Sequence, residues 1–496
     1  MNLSLATLLQ LCILLPILAT LGIVALRRHQ NLREAVSIGA SVLVFCAVVS
    51  IYLGLQRGET IDVNWLQILP GLSLSFSVEP LGMIFALIAS FLWLVTIIYA
   101  IGYMRGHNED HQTRFYCCFA IAIGSVMGVA FADNLFTLFI FYEILTLSTY
   151  PLVTHAGTEA AKKGGRVYLG ILLSTSIGFF LFAILGTWVV AGTLDFTPGG
   201  VFPADANTAV LGLLLVLFIF GIGKAAIMPF HRWLPAAMVA PTPVSALLHA
   251  VAVVKAGVFT VMKVCVLIFG VDLLSVLPTT QSLLYLAGAT VLLASIIAMR
   301  QDNLKARLAY STVSQLGYIT IGALLASSMG VIGGSMHIAM HAFGKITLFF
   351  CAGAILVAVH KSKVSQLDGL GRRMPITMAA FFIASLGIIG VPPAGGTWSK
   401  WYLLMGTMDT QQWTILVILM VSSLLNIAYL MPISIRAFLF KDPSSNAEVG
   451  IKEAPLPCLI AIGITTMGCI ALFIYPQPLY ELASSILQTS SIAHGQ

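Results

Sequence analysis

Charge is what this chain lacks most. Only 9% of its 496 residues are charged, against 59% hydrophobic, whereas a soluble domain carries roughly a quarter charged residues. Too little polar surface is available to cover a soluble globule of this size, which excludes a soluble enzyme and implies a polytopic membrane protein. The net charge of +6 does not indicate nucleic acid, because the basic residues are scattered between apolar segments and form no basic, aromatic-interleaved face. The eight cysteines include no CxxC pair and no Cys/His ligand spacing, so no zinc, iron–sulfur cluster or disulfide framework is expected. There is no low-complexity tract and no soluble domain. The first apolar run has no basic segment before it and ends at Arg27 and Arg28, so it reads as a first spanning helix and no cleavable signal peptide is expected.

Long apolar runs are what is present. Runs of 17 to 25 residues are long enough to span a bilayer as helices, and they fall near 3–26, 34–55, 80–103, 114–131, 133–155, 167–191, 208–230, 242–269, 281–299, 308–327, 331–359, 376–407, 412–437 and 455–475. The expected fold is therefore an all-α polytopic membrane protein of about 14 spans. Helices 114–131 and 133–155 share a tight turn around Asp133, and Pro392 and Pro393 break the run 376–407. Loops after odd-numbered spans carry Arg27, Arg28, Arg33, Arg105, Arg114, Lys162, Lys163, Arg166, Arg232, Arg300, Lys305, Arg307, Lys361, Lys363, Arg372, Arg373, Arg436, Lys441 and Lys452. Those after even-numbered spans carry Arg57 among Glu59, Asp62, Asp195, Asp205, Asp272 and Asp409. Basic loops face the cytoplasm, which places both termini outside. The alternating segment 59–80, with Pro70–Gly71 inside it, is expected to form an outer-face hairpin, with an irregular loop as the alternative. The C-terminal SSILQTSSIAHGQ is polar and expected to be mobile at its end.

The stretch GIGKAAIMPFHRWLPAAMVAPTPVSALLHAVAVVKAGVFTVMK, residues 221–263, holds the most informative ionisable residues. A lysine at the centre of a spanning helix costs about 3 kcal/mol on insertion scales, so it persists where it faces protein or water and serves a pathway. Lys224, Lys255, Lys345 and Lys400 are all this deep, whereas Lys263 lies nearer a helix end and is expected to snorkel to the headgroups. Of nineteen acids, only Glu143 sits mid-span. Pairing between Glu143 and Lys224 would reduce the burial penalty of both, as a static salt bridge or as a switchable pair. The deep cations are all lysine, which can release a proton where arginine cannot. His337, His341 and Lys345 are spaced by four, on one helical stripe. They read as core residues or as a proton relay, and the relay is preferred because two histidines and a lysine share the stripe. His249, six residues before Lys255, is read the same way. No third ligand in the 331–359 span supports a metal there.

Prolines 229, 235, 241 and 243 interrupt the first half of the chain, and IIGVPPAGGTWSK interrupts the second just before Lys400. Broken helices at membrane depth line cavities, and two in corresponding positions point to an inverted repeat. The expected organisation is residues 1–110 as three N-terminal helices with the hairpin, 111–270 and 281–440 as two inverted five-helix repeats with broken helices 7 and 12, and 441–496 as a last helix and tail.

FTLFIFYEILTLSTYPLV, the proline-flanked FHRWLPAAMVAPTPVSALLHAVAVVKAG, LKARLAYSTVSQLGY and HIAMHAFGKITLFFCAGAI together resemble the antiporter-like, proton-translocating subunits shared by respiratory complex I, Mrp-type multisubunit cation/proton antiporters and membrane-bound hydrogenases. The resemblance covers about residues 80–440 and is strongest to the D subunit of Mrp-type antiporters or the related hydrogenase subunit. It implies that Glu143 is the fifth-helix glutamate and Lys224 its seventh-helix partner. Lys255 matches the central eighth-helix lysine, with His249 beside it. His337, His341 and Lys345 match an eleventh-helix relay, and Lys400 a twelfth-helix lysine. The complex I subunit with glutamate at that last position matches less well. The long lateral helix of the largest complex I subunit has no counterpart here, so that paralogue is not expected.

The function these readings imply is proton translocation along a mid-membrane axis, in a multisubunit Na⁺ or K⁺/proton antiporter. The rival is a proton-pumping subunit of a complex I-type or membrane-bound hydrogenase oxidoreductase, whose redox chemistry sits on other chains. A stand-alone transporter of organic solutes would need a midplane recognition set that is absent. No cofactor or metal and no chemistry on this chain itself are expected. Its expected partners are other membrane subunits, protons, Na⁺ or K⁺ and lipids, in a bacterial plasma membrane.

Overall fold

The apolar runs form helices bounded by the residues that satisfy helix ends. The computed structural model describes residues 4–441 and 450–493. In chain order the main helices are α1 (Leu5–Ala25), α2 (Gln30–Gln56), α3 (Pro80–Gly106), α4 (Gln112–Ala130), α5 (Leu135–Val153), α6 (Glu159–Ala191), α7 (Thr208–Gly221), α8 (Val253–Val264), α9 (Pro278–Arg300), α10 (Leu304–Leu324), α11 (Ser328–Val359), α12 (Pro375–Ile389), α13 (Gly396–Asp409), α14 (Trp413–Leu439), α15 (Leu456–Ile474) and α16 (Gln477–Ala493). Among the described residues, ten helices are long and apolar enough to cross a membrane, and α7 and α12 are shorter apolar ones. The chain is a multi-span membrane protein. Side-chain oxygens cap several starts: Asn134 accepts from the Thr137 amide at 2.8 Å, Asn303 from Ala306 at 3.0 Å and Ser327 from Gly330 at 3.1 Å.

α3 and α11 form the centre of the bundle, each with 78% of its spanning window buried, whereas α1, α14 and α15 bury about a third and face lipid. The helix carrying the His337–His341–Lys345 stripe therefore runs through the protein interior. Tyr99 of α3 stacks on Phe350 of α11 with ring centroids 3.9 Å apart, and its hydroxyl donates to the Phe350 carbonyl at 2.8 Å.

Residues 59–80 do form the expected hairpin, β1 (Asp62–Leu69) against β2 (Leu72–Ser77), antiparallel with Val63 opposite Phe76. Gly71 supplies the turn with φ +81°. The hairpin seals the α4–α5 turn: the Ser77 amide donates to Phe131 O at 2.8 Å, and Asn134 Nδ2 donates to Ser73 O at 2.9 Å. It lies at the end of the bundle opposite the basic α1–α2 connection.

The chain's end holds a helix that the long apolar runs do not mark, α16, which runs as far as Ala493; the very end expected to be mobile, residues 494–496, lies outside the described residues. Leu482, Ala483 and Ile486 recur at helical spacing and are buried against the bundle.

Candidate functional site

The first proline-rich break positions Lys224. α7 ends at Gly221, Gly223–Ala225 form one 3-10 turn, and Ala226 is left-handed at φ +56°. A break frees backbone groups that lipid cannot satisfy, and side chains fill that role: Trp233 Nε1 donates to Gly223 O at 3.0 Å, and the Lys224 amide donates to the Tyr142 hydroxyl at 3.2 Å. α8 passes so close that a Cβ on Gly257 would stand 2.3 Å from the Lys224 carbonyl carbon. Only glycine fits there.

The fully buried Lys224 ammonium donates to Tyr142 O at 2.8 Å and Thr146 Oγ1 at 2.6 Å, and it lies 3.0 Å from the Tyr142 ring centroid. The expected contact with Glu143 is not made. Both Glu143 carboxylate oxygens are buried without a hydrogen-bond partner among the described residues. The cause is helical phase: Tyr142 and Thr146 share one stripe facing the break, while Glu143 is turned about 100° from Tyr142, beside the exposed Ile144 and Leu147. Glu143 acts on Lys224 through space only.

The centre of the site is a contact between α8 and α11. Lys255 Nζ lies 2.6 Å from His341 Nδ1, both side chains being buried. The His341 and His337 rings stack with centroids 5.7 Å apart, and His337 stacks at 5.7 Å on Tyr318. His337 is held at both nitrogens, by Ser399 Oγ at 2.8 Å and Gln315 Oε1 at 3.1 Å.

The second break brings Lys400 to the same line. α12 ends at Ile389, capped by Gly390 with φ +91°, and α13 begins at Gly396. Lys400 lies on α13, yet its stem packs over Gly390 and its ammonium donates to Ile389 O at 2.9 Å and Ser423 Oγ at 3.1 Å. It thus neutralises the negative end of the first half-helix. Its Nζ is also 4.6 Å from the Tyr318 ring centroid. Lys255, His341, His337, Tyr318 and Lys400 therefore form one continuous buried chain. Lys345, one turn beyond His341 on α11, donates to Leu308 O at 3.3 Å and to Ser311 Oγ at 2.6 Å, which lies 2.8 Å from the Tyr429 hydroxyl. Tyr429 in turn donates to Asn426.

Of the residues expected from sequence, Lys255, His337, His341 and Lys400 converge, Lys345 is held apart on Leu308 and Ser311 of α10, and Lys224 with Glu143 sits at the other break, its backbone against α8. The side chain of His249 lies outside the described residues; its backbone is in the π-helical turn Leu247–Val251. Sequence reasoning missed Gln315, Ser311 and Tyr318, although a polar stripe in the otherwise apolar α10 was the signal. It also missed Tyr142 and Thr146. Lys263 does not snorkel: its side chain is fully buried, ion-paired with Glu79, and donates to Ala132 O at 2.6 Å. The hairpin and the loop at 194–196 roof that end of α8, which no local pattern reveals.

Deep lysines and histidines threaded through two broken helices are costly to bury and are rare in membrane-spanning segments. Residues 132–426 match the family described as NADH:quinone oxidoreductase/Mrp antiporter, transmembrane, and residues 65–116 match the complex I chain 5 N-terminal family. The chain belongs to the NADH:quinone oxidoreductase/Mrp antiporter family. It is 31% identical over 433 residues to NADH-quinone oxidoreductase subunit N of Desulforudis audaxviator, covering 84% of this chain and 85% of that one. With the A/B polypeptide of a probable K⁺/H⁺ antiporter of Rhizobium meliloti it shares 32% over 417 residues, 81% of this chain but 40% of the relative. Its fold matches a chain of the Mrp complex from Dietzia sp. (TM-score 0.85, 22% identity, 98% and 97% of the two chains covered). A chain of the archaeal membrane-bound sulfane sulfur reductase matches equally well (TM-score 0.85, 22% identity, 98% of both). These relatives are subunits of multisubunit membrane complexes, and this family member is an antiporter-like, proton-translocating membrane subunit.

Proposed function

We propose that this chain conducts protons between Lys224 and Lys400 in a multisubunit Na⁺ or K⁺/proton antiporter, in the role of the D subunit of the Mrp type. The observation that carries the reading is the 2.6 Å contact of Lys255 with His341 inside the bundle, continued through His337 and Tyr318 to Lys400. A lysine whose ammonium faces an imidazole, with no carboxylate within 4.0 Å among the described residues, is arranged to exchange one proton between two bases. Lys224 would deliver or receive protons at the first break, Glu143 setting its charge from a distance, with Lys345 and His249 as side stations. The reading takes the fold as about fourteen spans with both termini outside. Residues 111–270 and 281–440 are the two inverted repeats, between the N-terminal unit 1–110 and the C-terminal unit 441–496.

A second reading is favoured by one observation: the relative that aligns along 85% of its own length is an oxidoreductase subunit. In that reading the same axis is driven by redox chemistry on neighbouring chains. Inverted membrane vesicles from cells making the whole complex separate the two. A pH change driven by added Na⁺ or K⁺, and lost in Lys255→Ala, supports the antiporter. A pH change that appears only when a reductant is supplied supports the oxidoreductase, and no dependence on Lys255 in either condition removes the axis itself.

A further inference from the structure

The ion pair Glu79–Lys263 lies outside the axis described above, at the hairpin end of α8. Lys255, Phe259 and Lys263 are spaced by four, so they occupy one stripe of that helix, with about 12 Å of rise between the two lysines. Lys263 is fully buried and Glu79, at the start of α3, keeps 21% of its side chain exposed, so the pair joins the interior to the surface at the hairpin end. Lys263 Nζ donates to Ala132 O at 2.6 Å and lies 4.2 Å from the Phe196 ring centroid. Those two residues belong to the loops that roof the site, where the Phe196 amide donates to Asp133 O at 3.1 Å. The two acids on those loops are engaged elsewhere, Asp133 by the Ser75 hydroxyl and Asp195 by the Thr193 hydroxyl.

Between the two lysines stands Phe259, 5.7 Å from Lys263 Nζ and packed on Phe85 of α3 with centroids 4.9 Å apart. The arrangement is a mid-membrane lysine, an apolar plug, then an ion pair open to the surface. A clamp needs no such chemistry, because burying an ion pair gains little over a well-packed apolar pair, and a permanent cation would be arginine.

We propose that Glu79 and Lys263 form the proton outlet of the Lys255 axis at the hairpin face, with Phe259 and Phe85 as its gate; this rests on the proton-conducting reading above. From the ion pair, the Lys263 ammonium gives one proton to the Glu79 carboxylate, and the carboxylic acid releases it to surface water, leaving a neutral Lys263 amine beside the ionised Glu79. When the aromatic pair parts to admit water, the Lys255 ammonium passes one proton to that amine, which restores the ion pair and leaves Lys255 neutral to take the next proton from the axis.

The test uses the whole complex in inverted vesicles, under whichever drive the wild type obeys, with assembly measured on the same membranes. Lys263→Arg keeps the ion pair but does not release a proton. Expected is an assembled Lys263→Arg complex whose translocation falls by about a hundredfold or more, the scale of a lost acid–base group. An assembled Lys263→Arg complex at the wild-type rate overturns the outlet and leaves the pair a clamp. If Lys263→Arg does not assemble, Glu79→Gln decides by the same two results. Lys255→Ala is the control: an unchanged rate there overturns the axis, whereas loss there with retention in Lys263→Arg overturns only the outlet.

Discussion

Lys255 on α8 and His341 on α11 meet at 2.6 Å between Nζ and Nδ1, eighty-six residues apart in sequence and both in the buried interior. Two bases that close share one proton more favourably than they carry two. His341→Gln keeps a hydrogen-bonding group of similar size at that place but removes the titratable one. We expect it to assemble and to slow translocation about tenfold, since a hydrogen bond to a charged group contributes about 1.5 kcal/mol or more. Vesicle pH-change assays on matched amounts of complex check this, and a wild-type rate would place His341 in packing alone.

Thr146 and the Tyr142 ring hold the Lys224 ammonium. Thr146→Val is nearly isosteric and leaves one ammonium proton unsatisfied. A loss of about 1–3 kcal/mol in that contact is expected, seen as reduced translocation with little change in the amount of complex. Tyr142→Phe retains the ring and removes the hydroxyl that accepts from the Lys224 amide, so it should lower stability more than rate.

Gly257 is the point where α8 touches the broken segment. Gly257→Ala forces a methyl into the Lys224 backbone, and overpacking of this kind costs about 1–3 kcal/mol. Gly178→Ala, at a glycine with open space around its Cβ position, is the matched comparison. The thermal midpoint in detergent should fall for Gly257→Ala and hold for Gly178→Ala.

Burial and the neighbouring Arg114 push His155, in the turn after α5, below its ordinary value of 6.5. Its folded form therefore binds fewer protons than the unfolded chain. Its effect on stability is constant above about pH 6.5 and is a loss that grows as pH falls from there toward the folded value. His155→Gln should lose less thermal stability than wild type between about pH 7.5 and about pH 5.5, a range that brackets the onset of that loss. Equal losses in both would show that His155 contributes no acid sensitivity.

Much of the site was legible because its residues are expensive where they stand. Lys224, Lys255, Lys345 and Lys400 interrupt apolar runs, and prolines 229, 392 and 393 mark the breaks. Partner choice was not legible, because it depends on helical phase across separate elements. One residue decides whether Lys224 meets Glu143 or the Tyr142 carbonyl and ring. Lys263 was misread for a related reason: distance from a helix end suggests snorkelling, but here the hairpin and the 194–196 loop close over that end. The last helix was readable in principle, from Leu479, Leu482, Ala483 and Ile486, yet its serine-rich polar face obscured the period.

The decisive measurement is proton translocation by the assembled complex carrying Lys255→Arg. Arginine preserves the charge facing His341 but does not give up its proton at any working pH. A proton-conducting axis predicts an intact complex with translocation lost. Translocation at the wild-type rate in that variant would contradict conduction through Lys255.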